Sequence, residues 1–430
     1  MKIFKQGNHR IFEKDDELSG YVSELLNDLE KRGMDAVREY SKKFDDWNPE
    51  SFELTEKEMD EATSRCDETL LKDTEYCQHN VRRFAELQLK TMNSLEEEIR
   101  PGIVLGHKHI PVNCVGSYIP GGLYPMFGSA QMSIIPAKVA GVKSVVACTP
   151  PVRDKGYYPA TINAMKKAGA DRIFILGGVQ AFALMAFGMG VVDPSDILCG
   201  AGNKFVAEAK RQLYGRCGID LRAGPTEIAV IADEEADPFL VACDIVGQAE
   251  HDPNSGQILV CFSEGFARKT LEEIERQLET LPTKDVASVS WTNNGQIYIA
   301  DNKDEAIEIS DDYAPEHLEI HVQDKDYYFE NLKNYGSLFI GEETTVAYGD
   351  KSIGTNHILP TGRAARYTGG VWVGKFLKTV TFQKMTPEAS RELGEITARQ
   401  CHIEQMLAHE LTAKARVERY ALKRSAGRHN

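Results

Sequence analysis

From residue 103 onward the chain changes rhythm, and that change constrains the fold more than any other feature. Short apolar runs at 103–105, 112–118, 144–148, 173–176, 196–198 and 228–231 are separated by helix-period stretches, notably 129–140, 158–168, 180–188 and 204–213. A parallel strand pair needs a crossover long enough to hold a helix, so strands alternating with helices predict a parallel, Rossmann-like sheet. The rhythm resumes at 258–262, 296–300, 318–322 and 337–340, which predicts a second α/β unit. Residues 1–20 are polar and read as an arm, 18–44 and 54–95 read as helices, and 387–422 reads as an amphipathic helical tail behind an irregular, Gly-rich stretch at 354–374.

Charge and cysteines narrow the class. A formal charge of −15 argues against a nucleic-acid surface or a polybasic membrane patch, although a few local Arg or Lys residues can still receive an anionic substrate. The nine cysteines include no Cys-x-x-Cys pair and several sit in apolar runs, which predicts reduced thiols in a cytosolic protein. No 18-residue apolar run occurs, and Met1-Lys2-Ile3-Phe4-Lys5 is not followed by a signal-peptide core. The expectation is a soluble, cytoplasmic protein that binds neither membrane nor nucleic acid.

Several constellations can carry chemistry. Gly247-Gln248-Ala249-Glu250-His251-Asp252-Pro253 ends an apolar helical run. Residues three apart share a helix face, and Pro253 stops the helix. Gln248 and His251 are therefore either zinc ligands or a hydrogen-bonded helix end. Three Gly-rich turns (Ile119-Pro120-Gly121-Gly122, Leu176-Gly177-Gly178-Val179-Gln180 and Cys199-Gly200-Ala201-Gly202-Asn203) each stand where a strand meets a helix. None is Gly-x-Gly-x-x-Gly, but three on one sheet point to a nucleotide crevice. Glu316-His317 before a strand is either a general acid/base pair or a structural loop end, and His321 reads as structural or exposed. Asp350 can supply a metal carboxylate, with Asn356 and His357 orienting ligands. His409 lies on the terminal helix, and Lys210, Arg222, Arg363 and Arg366 are either anion contacts or ordinary ion-paired bases.

Taken together these residues resemble the histidinol dehydrogenase family along nearly the whole chain. The resemblance rests on Tyr118-Ile119-Pro120-Gly121-Gly122, Gly200-Ala201-Gly202-Asn203, Ala223-Gly224-Pro225-Thr226-Glu227, Gly247-Gln248-Ala249-Glu250-His251, Ala314-Pro315-Glu316-His317 and Gly354-Thr355-Asn356-His357, with His409 downstream. It implies a zinc site from Gln248, His251, Asp350 and His409, the last supplied by the other subunit of an interlocked homodimer. It implies Glu316 and His317 as the catalytic acid/base pair and NAD contacts at Tyr118, Gln180 and Asn203. Thr226, His317, Asp350, Glu404 and His409 would meet a small-molecule alcohol, oxidised through an aldehyde to a carboxylate by two NAD⁺. The expected layout is an arm at 1–20, a discontinuous α/β domain from 21–112 and 232–370, an NAD-binding α/β domain at 113–231 and a helical dimerisation segment at 371–430.

Substrate is where the sequence departs from histidinol enzymes. Thr226 stands where they usually carry Ser, and the segments 206–214, 334–341 and 362–376 are closer to the family's sulfopropanediol dehydrogenase branch. That branch oxidises 2,3-dihydroxypropane-1-sulfonate to 3-sulfolactate, and Arg363 would be the contact to the sulfonate. The alternative substrate is L-histidinol, because Glu404 and Ala314-Pro315-Glu316-His317-Leu318-Glu319 keep the histidinol form. A non-catalytic nucleotide- or metal-binding protein is the remote alternative, and mere binding would not need an acid/base pair.

Overall fold

The computed structural model describes residues 1–8, 15–121, 125–152, 156–221 and 224–426. Gly122, Ala223 and the candidate anion contact Arg222 lie outside the described residues. The chain divides into two compact units, Met1–Leu89 with Val112–Phe376, and Lys90–Pro111 with Leu377–Asn430.

The first unit holds two mixed α/β layers. One sheet has five parallel strands in the spatial order Arg172–Ile175, Ser144–Thr149, Cys114–Tyr118, Ile197–Cys199 and Gly218–Ile219. These strands read as unbroken apolar runs because helices cover both faces. The first strand in sequence, Cys114–Tyr118, is central, and the chain turns outward on either side of it. This is the arrangement that opens a crevice at the carboxyl ends of the strands.

The other sheet repeats that order. Gly295–Ile299, Gly256–Cys261, Glu227–Ala232, His317–His321 and Ser337–Ile340 are parallel, with Glu227–Ala232 central. A sixth strand, Lys2–Lys5, pairs antiparallel with Gly295–Ile299. The amino-terminal residues are thus an edge strand, not a polar arm.

The helices that follow depart from the expected grouping of 21–112 with 232–370. Helices Asp16–Arg32 and Met34–Asp45 bury Val22, Leu25, Leu29 and Val37 in one cluster with Phe174, Phe182 and Leu184 of the five-stranded layer. Their apolar faces match that layer, so burial decides the grouping rather than sequence neighbourhood.

The second unit is built on three antiparallel strands, Leu95–Arg100, Ile103–Pro111 and Leu377–Met385. This corrects two expectations. The run at 103–105 belongs to this sheet rather than to a parallel one, and 371–430 is not helical throughout. The tail itself is two helices, Pro387–Ile403 and Leu407–Ala426, broken where Gln405 takes a positive φ of 59°. No helix among the described residues is long and apolar enough to cross a membrane. All nine cysteines are free, six of them buried.

Candidate active site

The amino ends of Glu227–Ala232 and His317–His321 lie side by side, with Ile228 paired to His317. This register brings Thr226, Glu227, Glu316 and His317 together. Glu227 holds both members of the expected acid/base pair through its backbone. Its carbonyl oxygen lies 2.9 Å from Nδ1 of His317, and its N–H donates to Oε2 of Glu316 at 3.1 Å. A ring that donates from Nδ1 keeps its lone pair on Nε2. That Nε2 is buried, has no hydrogen-bond partner among the described residues and lies 3.8 Å from Oδ1 of Asp350.

The carboxyls around this ring are perturbed by burial. Burial lifts Glu316 well above the usual carboxylate range, against the opposing hydrogen bond from Thr226 Oγ1 at 2.5 Å. Glu227 is pushed up to about 7 by burial. Its Oε1 accepts from the N–H of Gly362 at 3.0 Å, while its Oε2 is buried without a partner among the described residues. Burial also lowers His317, so the ring is favoured neutral.

Two of the expected zinc ligands flank this ring. Gln248, buried at the end of helix Pro238–Ala249, has its Nε2 hydrogen-bonded to Thr226 Oγ1 and 3.5 Å from Nδ1 of His317. Asp350 comes from the short helix Val346–Lys351. His251 stands exposed just past the Gln248 helix. His409 and Glu404 are exposed residues of the second unit. A carboxamide, an imidazole and a carboxylate (Gln248, His251 and Asp350) are donor types that zinc accepts, and the buried Nε2 of His317 has no hydrogen-bond partner among the described residues. His357 braces the group, contacting the backbone oxygen of Asp350 through Nδ1 at 2.9 Å and Ser129 Oγ through Nε2 at 3.1 Å. Asn356 instead donates to Met132 O at 2.6 Å.

The five-stranded layer carries a separate cavity of about 450 Å³ at the carboxyl ends of its strands. Tyr118, Gln180 and Asn203 all line it, as do Asp45 and Phe205. Asn203 caps helix Lys204–Leu213, its Oδ1 accepting from the N–H groups of Phe205 and Val206, while its amide nitrogen has no acceptor among the described residues. Gly200, with φ 121°, admits no side chain, because a Cβ there would come within 2.1 Å of Tyr118 O.

Three of the basic residues have other work. Lys210 is no anion contact. It is buried against Asp220, donates to Gly200 O at 2.8 Å, and Asp220 accepts from Gly200 N at 2.8 Å. The pair holds both backbone polar groups of Gly200, at the start of the turn that ends in Asn203. Arg363 donates to Asp312 at 2.7 Å, and Arg366 lies 3.9 Å from the same carboxylate.

The histidinol dehydrogenase family model matches residues 8–417. The chain belongs to the histidinol dehydrogenase family. A histidinol dehydrogenase homolog of Shouchella clausii is 52% identical over 93% of this chain and 94% of its own length. The sulfopropanediol 3-dehydrogenase of Ruegeria pomeroyi is 43% identical over 93% of this chain and 92% of its own. The crystal structure of histidinol dehydrogenase from Elizabethkingia anophelis, at 32% identity, has a TM-score of 0.91 and covers 95% of this chain and 94% of that one. The protein is thus an oxidoreductase of the histidinol dehydrogenase family, with its mixed α/β fold.

One cluster in this family member escaped the sequence reading. Asp244, Glu319 and His321 bring their ligand atoms within 4.8 Å of one another. Glu319 Oε1 accepts from Val346 N at 2.9 Å, Asp244 Oδ1 accepts from Thr345 Oγ1 at 2.7 Å, and His321 Nε2 lies 3.3 Å from Glu319 Oε2. The cluster ties together the helix bearing Gln248, the strand bearing His317 and the helix bearing Asp350. Alternation along the strand could have found it, since His317, Glu319 and His321 share one face.

Proposed function

We propose that this protein oxidises a primary alcohol through an aldehyde to a carboxylate, using zinc and NAD, and that its substrate is 2,3-dihydroxypropane-1-sulfonate. The observation that carries the chemistry is the buried pair Glu316 and His317, with the unpartnered Nε2 of His317 facing Asp350. Gln248, His251 and Asp350 would hold zinc together with His409 of a second copy, making the active unit a homodimer. The cavity at Tyr118, Gln180 and Asn203 would hold NAD. When bound, zinc would orient and polarise the alcohol oxygen, and NAD would accept the hydride.

The chain's own residues handle the protons. His317, neutral and fixed through Nδ1, takes the hydroxyl proton on Nε2 as hydride leaves the carbon. Glu316 in its carboxylate form draws a proton from the water that hydrates the aldehyde. Thr226 Oγ1 and the N–H of Glu227 favour that form by donating to its Oε2.

For the substrate, both names occur among relatives that cover nearly the whole chain, so overall identity does not choose. The likeness of residues 362–376 to the sulfonate branch favours an anion. Lys351, next to Asp350 and on the wall of a cavity of about 220 Å³ with His357 and Ser129, is placed to meet one. Arg363 would have to leave Asp312 to do the same. L-Histidinol is the second reading, favoured by the three carboxyls Glu227, Glu316 and Asp350 around one ring, which suit an amine. NADH formation with each alcohol, with and without a zinc chelator, separates them. Turnover of histidinol alone would remove the sulfonate reading, and chelator-resistant turnover would remove the zinc.

A further inference from the structure

A parallel sheet that holds a dinucleotide commonly places an acidic residue beyond its second strand, where the carboxylate accepts hydrogen bonds from ribose hydroxyls. In the five-stranded layer the second strand, Ser144–Thr149, runs into Pro150-Pro151-Val152, none of them acidic, and Asp154 beyond them lies outside the described residues. The cavity at the carboxyl ends of these strands nevertheless has an acid. Asp45, the last residue of helix Met34–Asp45, reaches it from outside the sheet and lines it beside Tyr118, Gly178, Gln180 and Asn203.

The carboxylate is held in place. Its Oδ2 accepts from Gln180 Nε2 at 3.0 Å, and its Oδ1 takes no hydrogen bond from a described residue. Burial raises its pKa, against the opposing hydrogen bond from Gln180. Hydroxyl donors from a ligand would favour the ionised form further. Among the described lining residues there is no lysine or arginine. A 2′-phosphate would therefore meet a carboxylate with no described cation to offset it.

We infer that Asp45 receives ribose hydroxyls of the bound dinucleotide and sets the cavity's preference for NAD over NADP. The inference rests on the reading of this cavity as the NAD site. It adds an acid that comes to the cavity from a helix outside the sheet.

Titration of the full-length protein with NAD⁺, NADP⁺ and ADP-ribose tests it. Asp45→Asn keeps the size of the side chain and an oxygen for Gln180, so a purely structural role survives the change. A melting curve matching the parent's establishes that the variant is folded, and Asp45→Ser serves in its place should it not be. The expected result is NAD⁺ affinity weakened about tenfold or more, with NADP⁺ affinity unchanged or improved, so that the preference narrows by a similar factor. NAD⁺ binding and preference both unchanged in the folded variant would overturn the role of Asp45 while leaving the cofactor reading intact. Failure of the parent protein to bind any of the three ligands would overturn the cofactor reading, and the role of Asp45 with it.

Discussion

His317 is anchored by Glu227, not by its sequence neighbour: Nδ1 lies 2.9 Å from the Glu227 carbonyl oxygen and 3.6 Å from the nearest carboxylate oxygen of Glu316. Glu316 and His317 can therefore work as separate groups in separate steps. Replacing Glu316 by Gln should slow oxidation of supplied aldehyde by about 10²–10⁴-fold while the first hydride transfer falls much less. Because burial holds Glu316 protonated above the usual range, and only its carboxylate can act as base, the aldehyde step should quicken as pH rises. Single-turnover NADH formation from alcohol and from aldehyde checks both, and equal slowing of the two would make Glu316 structural.

Glu227 carries a stability prediction with a definite sign. Its folded pKa, about 7, lies above the ordinary 4.5. The native state thus binds its proton more tightly than the unfolded chain does. Its contribution is fully present below the ordinary value and is lost as pH climbs to about 7. Gln at this position can still accept from Gly362 and never ionises. Glu227→Gln should be favoured over the parent by roughly 2–3 kcal/mol at pH 8 and by almost nothing at pH 4. Urea unfolding at the two pH values measures this, and a constant difference would rule out the buried carboxyl as its source.

Sharing of the metal site is tested by complementation. His251→Ala and His409→Ala should each lose zinc and activity as pure proteins. Mixed chains should recover part of the activity, because both lesions can fall in one site and leave the other whole. Zinc analysis and turnover after proven subunit exchange decide it.

Charge at the substrate separates Lys351 from Arg363. With the sulfonate as substrate, Lys351→Ala should raise KM about tenfold or more and leave KM for NAD⁺ within twofold. Arg363→Ala should do less, since its guanidinium already answers Asp312. Lower KM values in both variants would mark a cationic substrate.

The Lys210–Asp220 pair should be costly to break. Lys210→Met leaves a buried carboxylate without its partner and should destabilise by about 3–5 kcal/mol, read in urea unfolding. Dinucleotide affinity should fall as well, because the pair clamps Gly200 close to Asn203.

Much of this architecture is legible locally. The parallel strands announce themselves as short apolar runs between helices. Leu377–Met385 does not, because its partner Ile103–Pro111 lies far off in sequence and only pairing makes either a sheet strand. For Lys210 the sequence leaves an anion contact and an ion-paired base both open, because nothing local reveals that Asp220 is buried beside it. Asp45 is invisible for the same reason, since its helix gains meaning only where it packs.

The two parallel sheets share one strand order but put opposite rims to use. The cavity of about 450 Å³ lies at the carboxyl rim of one, while Glu316 and His317 lie where a strand of the other begins. The loops leaving the carboxyl ends of Gly256–Cys261 and Gly295–Ile299 carry none of the residues gathered in the candidate site. Length changes there could accumulate among related chains with little effect on turnover, whereas a single residue inserted before Glu227 or His317 would shift the register on which the pair depends.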